Sequence, residues 1–280
     1  MNNFDLAIAL RVYPQISKQP LGNFETKFDL FKVGFKSLLA SLGPIRAKFY
    51  VILDSCDDSY AAFVSGLVPS HSLQIERVDK AGNAKTFLMQ MQWLQNQTDA
   101  EMVFLAEDDY LYQPGMFGRM MDLIKQCGDN VHFVSPHNHW HYYSNSIHRE
   151  AGTRLLFENG ENWHMPVSTC LTFLTTKKIL IETSGVFATY AKGNFDFSIF
   201  VSLVRPSIFR FPPAKLLANS FFLKSLLKAI RHTAGQVYFG RPYVLAVPLV
   251  PVATHMQIDE LGPGVNWAGL VENFKNELSL

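Results

Sequence analysis

No stretch of this sequence is apolar for long enough to span a bilayer. The longest candidate, Tyr243 to Thr254, is interrupted by Pro248 and Pro251, and a spanning helix needs about 20 apolar residues. The amino terminus, Met-Asn-Asn-Phe-Asp, has neither the basic nor the apolar region of a secretory signal. Cysteine is scarce. Cys56, Cys127 and Cys170 are far apart and show no CxxC spacing, which excludes a disulfide framework and predicts reduced thiols. The expected location is cytoplasmic, with peripheral contact at the inner membrane face. Charge is sparse, at 18% of residues with a formal net charge of +1, which excludes a general nucleic-acid binder. Internal repeats, low-complexity tracts and clear linkers are lacking too.

One absence is local. From Phe197 to Ile258 there is no Asp or Glu, yet Arg205, Arg210, Lys215, Lys224, Lys228, Arg231 and Arg241 lie there. Such a block attracts phosphates, acidic glycans or an anionic membrane surface. The plain alternative is a solvated helix face beside a core strand.

Against these absences, 48% of the 280 residues are hydrophobic, enough for one large α/β domain. Leu6 to Val12 reads as a first strand. Phe24, Phe28, Phe31, Phe35, Leu38 and Leu42 recur at helical spacing until Gly43-Pro44 stops them. Lys48 to Leu53, Gln74 to Val78 and Met102 to Ala106 read as further strands, with a helix opening at Gly82-Asn83. Pro114 starts a helix through about Cys127. Val131 to Ser135 and Cys170 to Thr175 are strand-like, and Lys177 to about Tyr190 is mainly helical. Pro136 to Trp163 looks irregular. A helix from Lys215 to Ile230, a strand from Val237 to Val247 and a tail complete the chain. This alternation predicts an α/β fold with a mostly parallel sheet and helices on both faces.

The most informative stretch is Met102 to Asp109, where an apolar strand stops at Glu107-Asp108-Asp109. Three adjacent carboxylates repel unless a proton or a cation intervenes, and hard oxygen ligands suit Mg²⁺ or Mn²⁺. Ligands of open α/β sheets bind at the carboxyl ends of strands. A solvated acidic turn is the bland alternative. Six of nine histidines fall between His132 and His164. On a strand His137, His139 and His141 would share one face, a spacing that suits zinc; a polar substrate-binding loop is the favoured reading, because no carboxylate or supporting partner of a catalytic zinc site can be placed here. Gly82-Asn83 is a candidate anion site at a helix start, beside Lys80 and Lys85, or an ordinary cap. Asp196 is the only carboxylate between Glu182 and Asp259. It reads either as a desolvated general base or as an acid at a helix start. His255 is a candidate metal ligand or simply a satisfied polar residue.

Together these residues resemble the nucleotide-sugar glycosyltransferases of the GT-A fold, in particular family-2-like bacterial enzymes. The resemblance implies a single domain over 1–280, with a nucleotide-sugar-binding half at 1–135. An acceptor-binding half and tail would occupy 136–280. It places Glu107-Asp108-Asp109 as the DXD-type motif, with Asp109 and His255 on Mn²⁺ or Mg²⁺ and Glu107 or Asp108 near ribose or metal-bound water. Arg11, Asp54, Lys80, Gly82 and Asn83 would hold the nucleotide, of UDP or GDP type. Arg231, His232 and Arg241 would assist the leaving phosphates. Asp196 would be the base of an inverting, single-addition transfer to a glycan or lipid-linked acceptor, with Glu158 and Glu161 as substitutes. The chain departs from the family in its first motif, Arg-Val-Tyr-Pro-Gln-Ile-Ser, and in Asn194-Phe195-Asp196, which replaces a Glu-Asp pair. No QXXRW motif of processive synthases occurs. Two other functions fit the residues: a non-catalytic nucleotide- or carbohydrate-binding protein on a degenerate transferase scaffold, and a zinc-dependent hydrolase built on His132 to His164.

Overall fold

A computed structural model of the chain describes residues 4–16, 19–152 and 154–280. Met1 to Asn3 of the amino terminus and Ser17 of the first-strand motif lie outside them. The strands are β1 (Leu6–Val12), β2 (Ala47–Asp54), β3 (Leu73–Val78), β4 (Met102–Glu107), β5 (Tyr110–Tyr112), β6 (Phe133–Val134), β7 (Leu155–Glu158), β8 (Glu161–His164), β9 (Phe173–Thr176), β10 (Leu245–Pro248) and β11 (Ala253–His255). The longer helices are α1 (Lys27–Ala40), α2 (Asp58–Leu67), α3 (Gly82–Asn96), α4 (Met116–Cys127), α5 (Lys177–Phe187), α6 (Asp196–Val204), α7 (Ser220–Phe239) and α8 (Trp267–Leu278).

Nine strands form one sheet in the order β3-β2-β1-β4-β9-β6-β10-β8-β7. The first four are mutually parallel, β9 opposes its neighbours, β6 and β10 run parallel, and β8 opposes both β10 and β7. Only β9 and β8 therefore run against the rest, so the expected mostly parallel α/β sheet is what forms. Strand side chains alternate between two cores. Leu6, Ile8, Leu10 and Val12 join Phe31 and Phe35 of α1 and Phe117 of α4 on one face. Ala7 and Ala9 join Phe87 of α3, Phe187 of α5 and Phe200 of α6 on the other. Each fully buried phenylalanine contributes about 1.5–3 kcal/mol.

The ends of β1 and β4 are clamped from α3. The buried Gln90 amide donates to the carbonyls of Ala9 at 2.7 Å and Ala106 at 2.9 Å. A separate ribbon pairs β5 with β11, setting Tyr110 opposite His255. That pairing carries a late segment back to the acidic turn.

Three expectations are corrected, and one helix was not foreseen. The segment after Ile230 is helical to Phe239, so the strand expected from Val237 is only Leu245–Pro248. The α7 backbone kinks at Thr233 (φ −141°) but continues, held by the Thr233 hydroxyl on the Ala229 carbonyl at 2.7 Å. α7 also begins later than Lys215, at a cap where Asn219 accepts from the Phe222 amide. Pro136 to Trp163 is not wholly irregular, since it ends in the β7–β8 hairpin. α2 was not legible: it buries only Tyr60 and Val64, too few to show periodicity, and relies on the Asp57 cap.

Candidate active site

The register of β1 against β4 sets Arg11 beside Glu107. Their side chains form an ion pair that is 13% and 21% exposed, and Thr172 donates to the second Glu107 oxygen at 2.8 Å. Burial pushes the Glu107 carboxyl up, but the Arg11 charge and its hydrogen bonds outweigh this and hold it below the ordinary range. Asp108 is equally committed. It accepts from the Tyr13 amide at 2.8 Å and from Lys27 Nζ at 3.0 Å.

Asp109 differs. Its Oδ2 lies 3.5 Å from His255 Nε2, while its Oδ1 is buried without a hydrogen-bond partner, as is His255 Nδ1. Burial pushes the Asp109 carboxyl up to about 6; the His255 charge opposes this, and Asp108 and Glu107 add to it. The turn is held in place because α1 approaches it at Gly34. A Cβ there would meet the Tyr110 carbonyl oxygen at 3.0 Å and Met256 Cε at 3.1 Å.

Two hollows share the Arg11–Glu107 pair as a wall. One, of about 270 Å³, is lined by Lys27, Asp54, Asn83, Asp108 and Asp109 as well as that pair. It lies at the carboxyl ends of β1, β2 and β4, where ligands of open α/β sheets bind. The other, of about 350 Å³, is lined by His137, Tyr142, Thr169, Asp196 and His255. Asp196 opens α6 and accepts from the Phe197 amide at 2.7 Å. Burial pushes its carboxyl up to about 6, against that hydrogen bond and with help from the Glu107 charge. Asp196 is thus both the acid at a helix start and a desolvated carboxylate facing a cavity. His137 is held neutral by burial, its pKa falling to about 3, and its Nε2 has no partner.

The remaining sequence candidates divide. Asp54 is buried and fully used: its oxygens accept from the Ala81 amide at 3.0 Å and the Gly82 amide at 2.8 Å. This fixes the turn into α3, where Lys80 (φ +49°) and Gly82 (φ +74°) adopt left-handed backbone that glycine takes without strain and lysine does not. The Asn83 carbonyl accepts from Arg11 at 3.2 Å. Arg241 pairs with Glu182 at 2.6 Å, and Arg231 lies on an outer face of α7; His232 shares that helix. None of the three lines either hollow. Glu161 pairs with Arg119, and with Glu158 it borders a different depression. Cys56, Cys127 and Cys170 are free thiols.

His137, His139 and His141 do not form a strand. His137 makes an isolated bridge to Ala253, and His141 starts a single helical turn. Their rings follow one another at 5.2 and 4.3 Å. Among the described residues no three His, Cys, Asp or Glu side chains converge as a metal-holding group. Three contributors escaped sequence reading: Lys27, Thr172 and Tyr110, whose hydroxyl meets Cys170 Sγ at 3.0 Å. Lys27 left a trace, because a lysine three and four residues before Leu30 and Phe31 shares their buried face.

No protein-family model matches the chain, nor does any curated protein sequence. Solved structures do resemble it. The galactosyltransferase LgtC with donor and acceptor sugar analogues is 11% identical, with a TM-score of 0.48 over 96% of this chain and 94% of that one. An active-site mutant of LgtC is 11% identical, with a TM-score of 0.49 over 97% and 95%. A 4-diphosphocytidyl-2C-methyl-D-erythritol synthase from Anaerococcus prevotii is 7% identical, with a TM-score of 0.42 over 99% and 97%. At these values the likeness is one of chain path and transfers no residue role.

Proposed function

We propose that this chain is a metal-dependent glycosyltransferase that moves a sugar from a nucleoside-diphosphate donor to a glycan or lipid-linked acceptor. The observation that carries the reading is the division of carboxylates across the Arg11–Glu107 wall. Asp109, with an unpartnered buried oxygen, faces the strand-end hollow. Asp196, with a raised pKa, faces the other. Residues 1–135 supply the donor half and 136–280 the acceptor half and tail.

Asp109 and His255 fit a divalent cation. Mg²⁺ is commonly held by one or two carboxylates, with substrate phosphates and water completing its shell, so two protein donors suffice. Bound there, Mn²⁺ or Mg²⁺ would supply positive charge for the departing diphosphate. Arg11 and Lys27 pair with Glu107 and Asp108, and Asp109 Oδ1 is left without a hydrogen bond. In the transfer, the acceptor hydroxyl oxygen bonds to the anomeric carbon as the bond from that carbon to the diphosphate oxygen breaks. Asp196 takes the hydroxyl proton. A carboxyl tuned toward working pH suits that task, and one such displacement inverts the anomeric centre.

The test is a thermal-shift panel of nucleoside diphosphates and their sugars with and without Mn²⁺, since a ligand of the native state raises Tm. A nucleotide shift that grows with Mn²⁺, and disappears in Asp109→Ala with the fold retained, is expected. His255→Ala should weaken the Mn²⁺ increment less, because a neutral ligand is lost rather than a charge. Nucleotide affinity indifferent to Mn²⁺ and to Asp109→Ala would overturn the metal assignment. Absence of sugar turnover with intact nucleotide binding would leave a binding protein.

A further inference from the structure

Helix α7 turns Phe222, Ser225, Ala229 and Val237 inward. On its opposite side, at spacings of three, four, seven and eleven from Ser220, stand Leu223, Lys224, Leu227 and Arg231. With Lys228 they line a shallow hollow of about 420 Å³. Leu227 is 65% exposed, Phe221 near the helix start 40%, and Phe239 at its end 89%. Single exposed apolar residues are ordinary. Here, however, two leucines share one helical stripe with three cations, within a stretch that has no acid from Phe197 to Ile258. A solvated face accounts for the cations but not for the leucines between them.

A helix with apolar side chains bordered by lysine and arginine lies in the interface of a bilayer, its aliphatic groups entering the acyl boundary. Long basic side chains keep their charge at headgroup level while their stems cover apolar surface. The one-signed charge selects the lipid: a zwitterionic surface offers no net attraction, whereas an anionic one does. We propose that this face of α7 docks on an anionic phospholipid surface.

The proposal goes beyond the transferase reading and stands on the exposed residues alone. It has a consequence for the cavity. Lys228 donates to the Gly193 carbonyl, and Lys224 and Lys228 sit 5.8 and 5.6 Å from the centre of the Phe195 ring. The docking helix is thereby tied to the loop that leads into Asp196. On the transferase reading, a lipid-borne acceptor meets the cavity from the side on which the chain rests. Among the described residues no helix is long and apolar enough to cross a membrane, so the contact is peripheral in kind.

The test is co-sedimentation of the full chain, without nucleotide, with vesicles of phosphatidylcholine alone or with equal parts phosphatidylserine. Expected is binding to the phosphatidylserine vesicles at low salt, loss of that binding at high salt, and none to phosphatidylcholine. Lys224→Glu with Leu227→Ser should weaken vesicle binding by at least about twenty-five-fold, since each cation near such a surface contributes about five-fold and reversal counts twice, and the lost leucine adds to it. Both side chains face solvent, and far-UV circular dichroism checks that the variant is folded. Wild-type chain that ignores phosphatidylserine vesicles at low salt, or binds both lipids equally, overturns the proposal. So does a folded double variant that binds like wild type. Sugar turnover on a soluble acceptor is read separately: a chain that turns over donor but ignores vesicles fails only here. One that binds vesicles but no nucleotide supports the docking face and fails only the transferase reading.

Discussion

The two hollows on either side of the Arg11–Glu107 pair are built by different means. The strand-end hollow takes its walls from the ends of β1, β2 and β4, and most of its charged groups hold one another. Glu107 has Arg11 and Thr172, Asp108 has Lys27 and the Tyr13 amide, and Asp54 has two amides of the turn into α3. The other cavity is assembled from loops far apart in sequence, and it leaves groups unbalanced. His137 Nε2 lacks a partner and Asp196 carries a raised pKa. The first arrangement holds Glu107, Asp108 and Asp54 in fixed places, each with its counterpart; Asp109, with an unpartnered Oδ1 and a carboxyl raised to about 6, is its exception. The second stores a desolvation penalty in Asp196, the group proposed to take a proton. Each hollow thus keeps one desolvated carboxylate, Asp109 on the strand-end side and Asp196 on the other, and they differ in how completely the remaining polar groups are satisfied.

The largest expected effect tests the reactive side. Asp196→Asn should lower turnover of a nucleotide-sugar by ~10²–10⁴-fold, while titration of donor nucleotide shows unchanged affinity. Near-normal turnover would remove the contrast between the hollows.

A second change tests the satisfied side. Arg11→Ala leaves Glu107 ionised, largely buried and uncompensated, so unfolding free energy should fall by about 3 kcal/mol. The double variant Arg11→Ala with Glu107→Gln should recover most of that loss in urea titration, because the stranded charge is gone. Equal loss in both would mean that the pair matters for packing rather than charge.

The smallest effect joins the two. The Asp196 carboxyl is raised from 3.8 to about 6 in the folded chain, so the folded state holds that proton more tightly than the unfolded state. Below about pH 4 both states are protonated and the folded chain carries no penalty. As pH rises through 6 the folded chain acquires a desolvated charge, and that increment of stability is lost. Asp196→Asn should therefore raise the unfolding free energy above pH 6 by an amount on the order of 1 kcal/mol, seen as a higher Tm, with no gain near pH 3.5. Scanning calorimetry at the two pH values reads the difference. The same variant would then be less active and more stable.

The sequence by itself determined the strand-end side. Apolar runs ending in Arg11, Asp54 and Glu107-Asp108-Asp109 were legible because a parallel strand buried on both faces needs unbroken hydrophobicity, and its end is marked by the first charge. The stretch without acids was equally plain, since charge sign is read directly from composition. Helix α2 and the run of α7 past Thr233 were not legible, because a short cap and a kinked backbone leave no clear period. What only the tertiary structure decided was pairing. The β1–β4 register chose Glu107 as the partner of Arg11. The β5–β11 ribbon brought His255 to Asp109, across a separation for which the local pattern has no term. Asp196 faces a cavity because α6 packs against the sheet with its first residue at the rim. Arg231 and Arg241, in the same basic block, were carried elsewhere by α7 and by the loop that leads from it to β10. Local periodicity fixes which residues are buried; the contacts made between distant segments fix which buried charges meet.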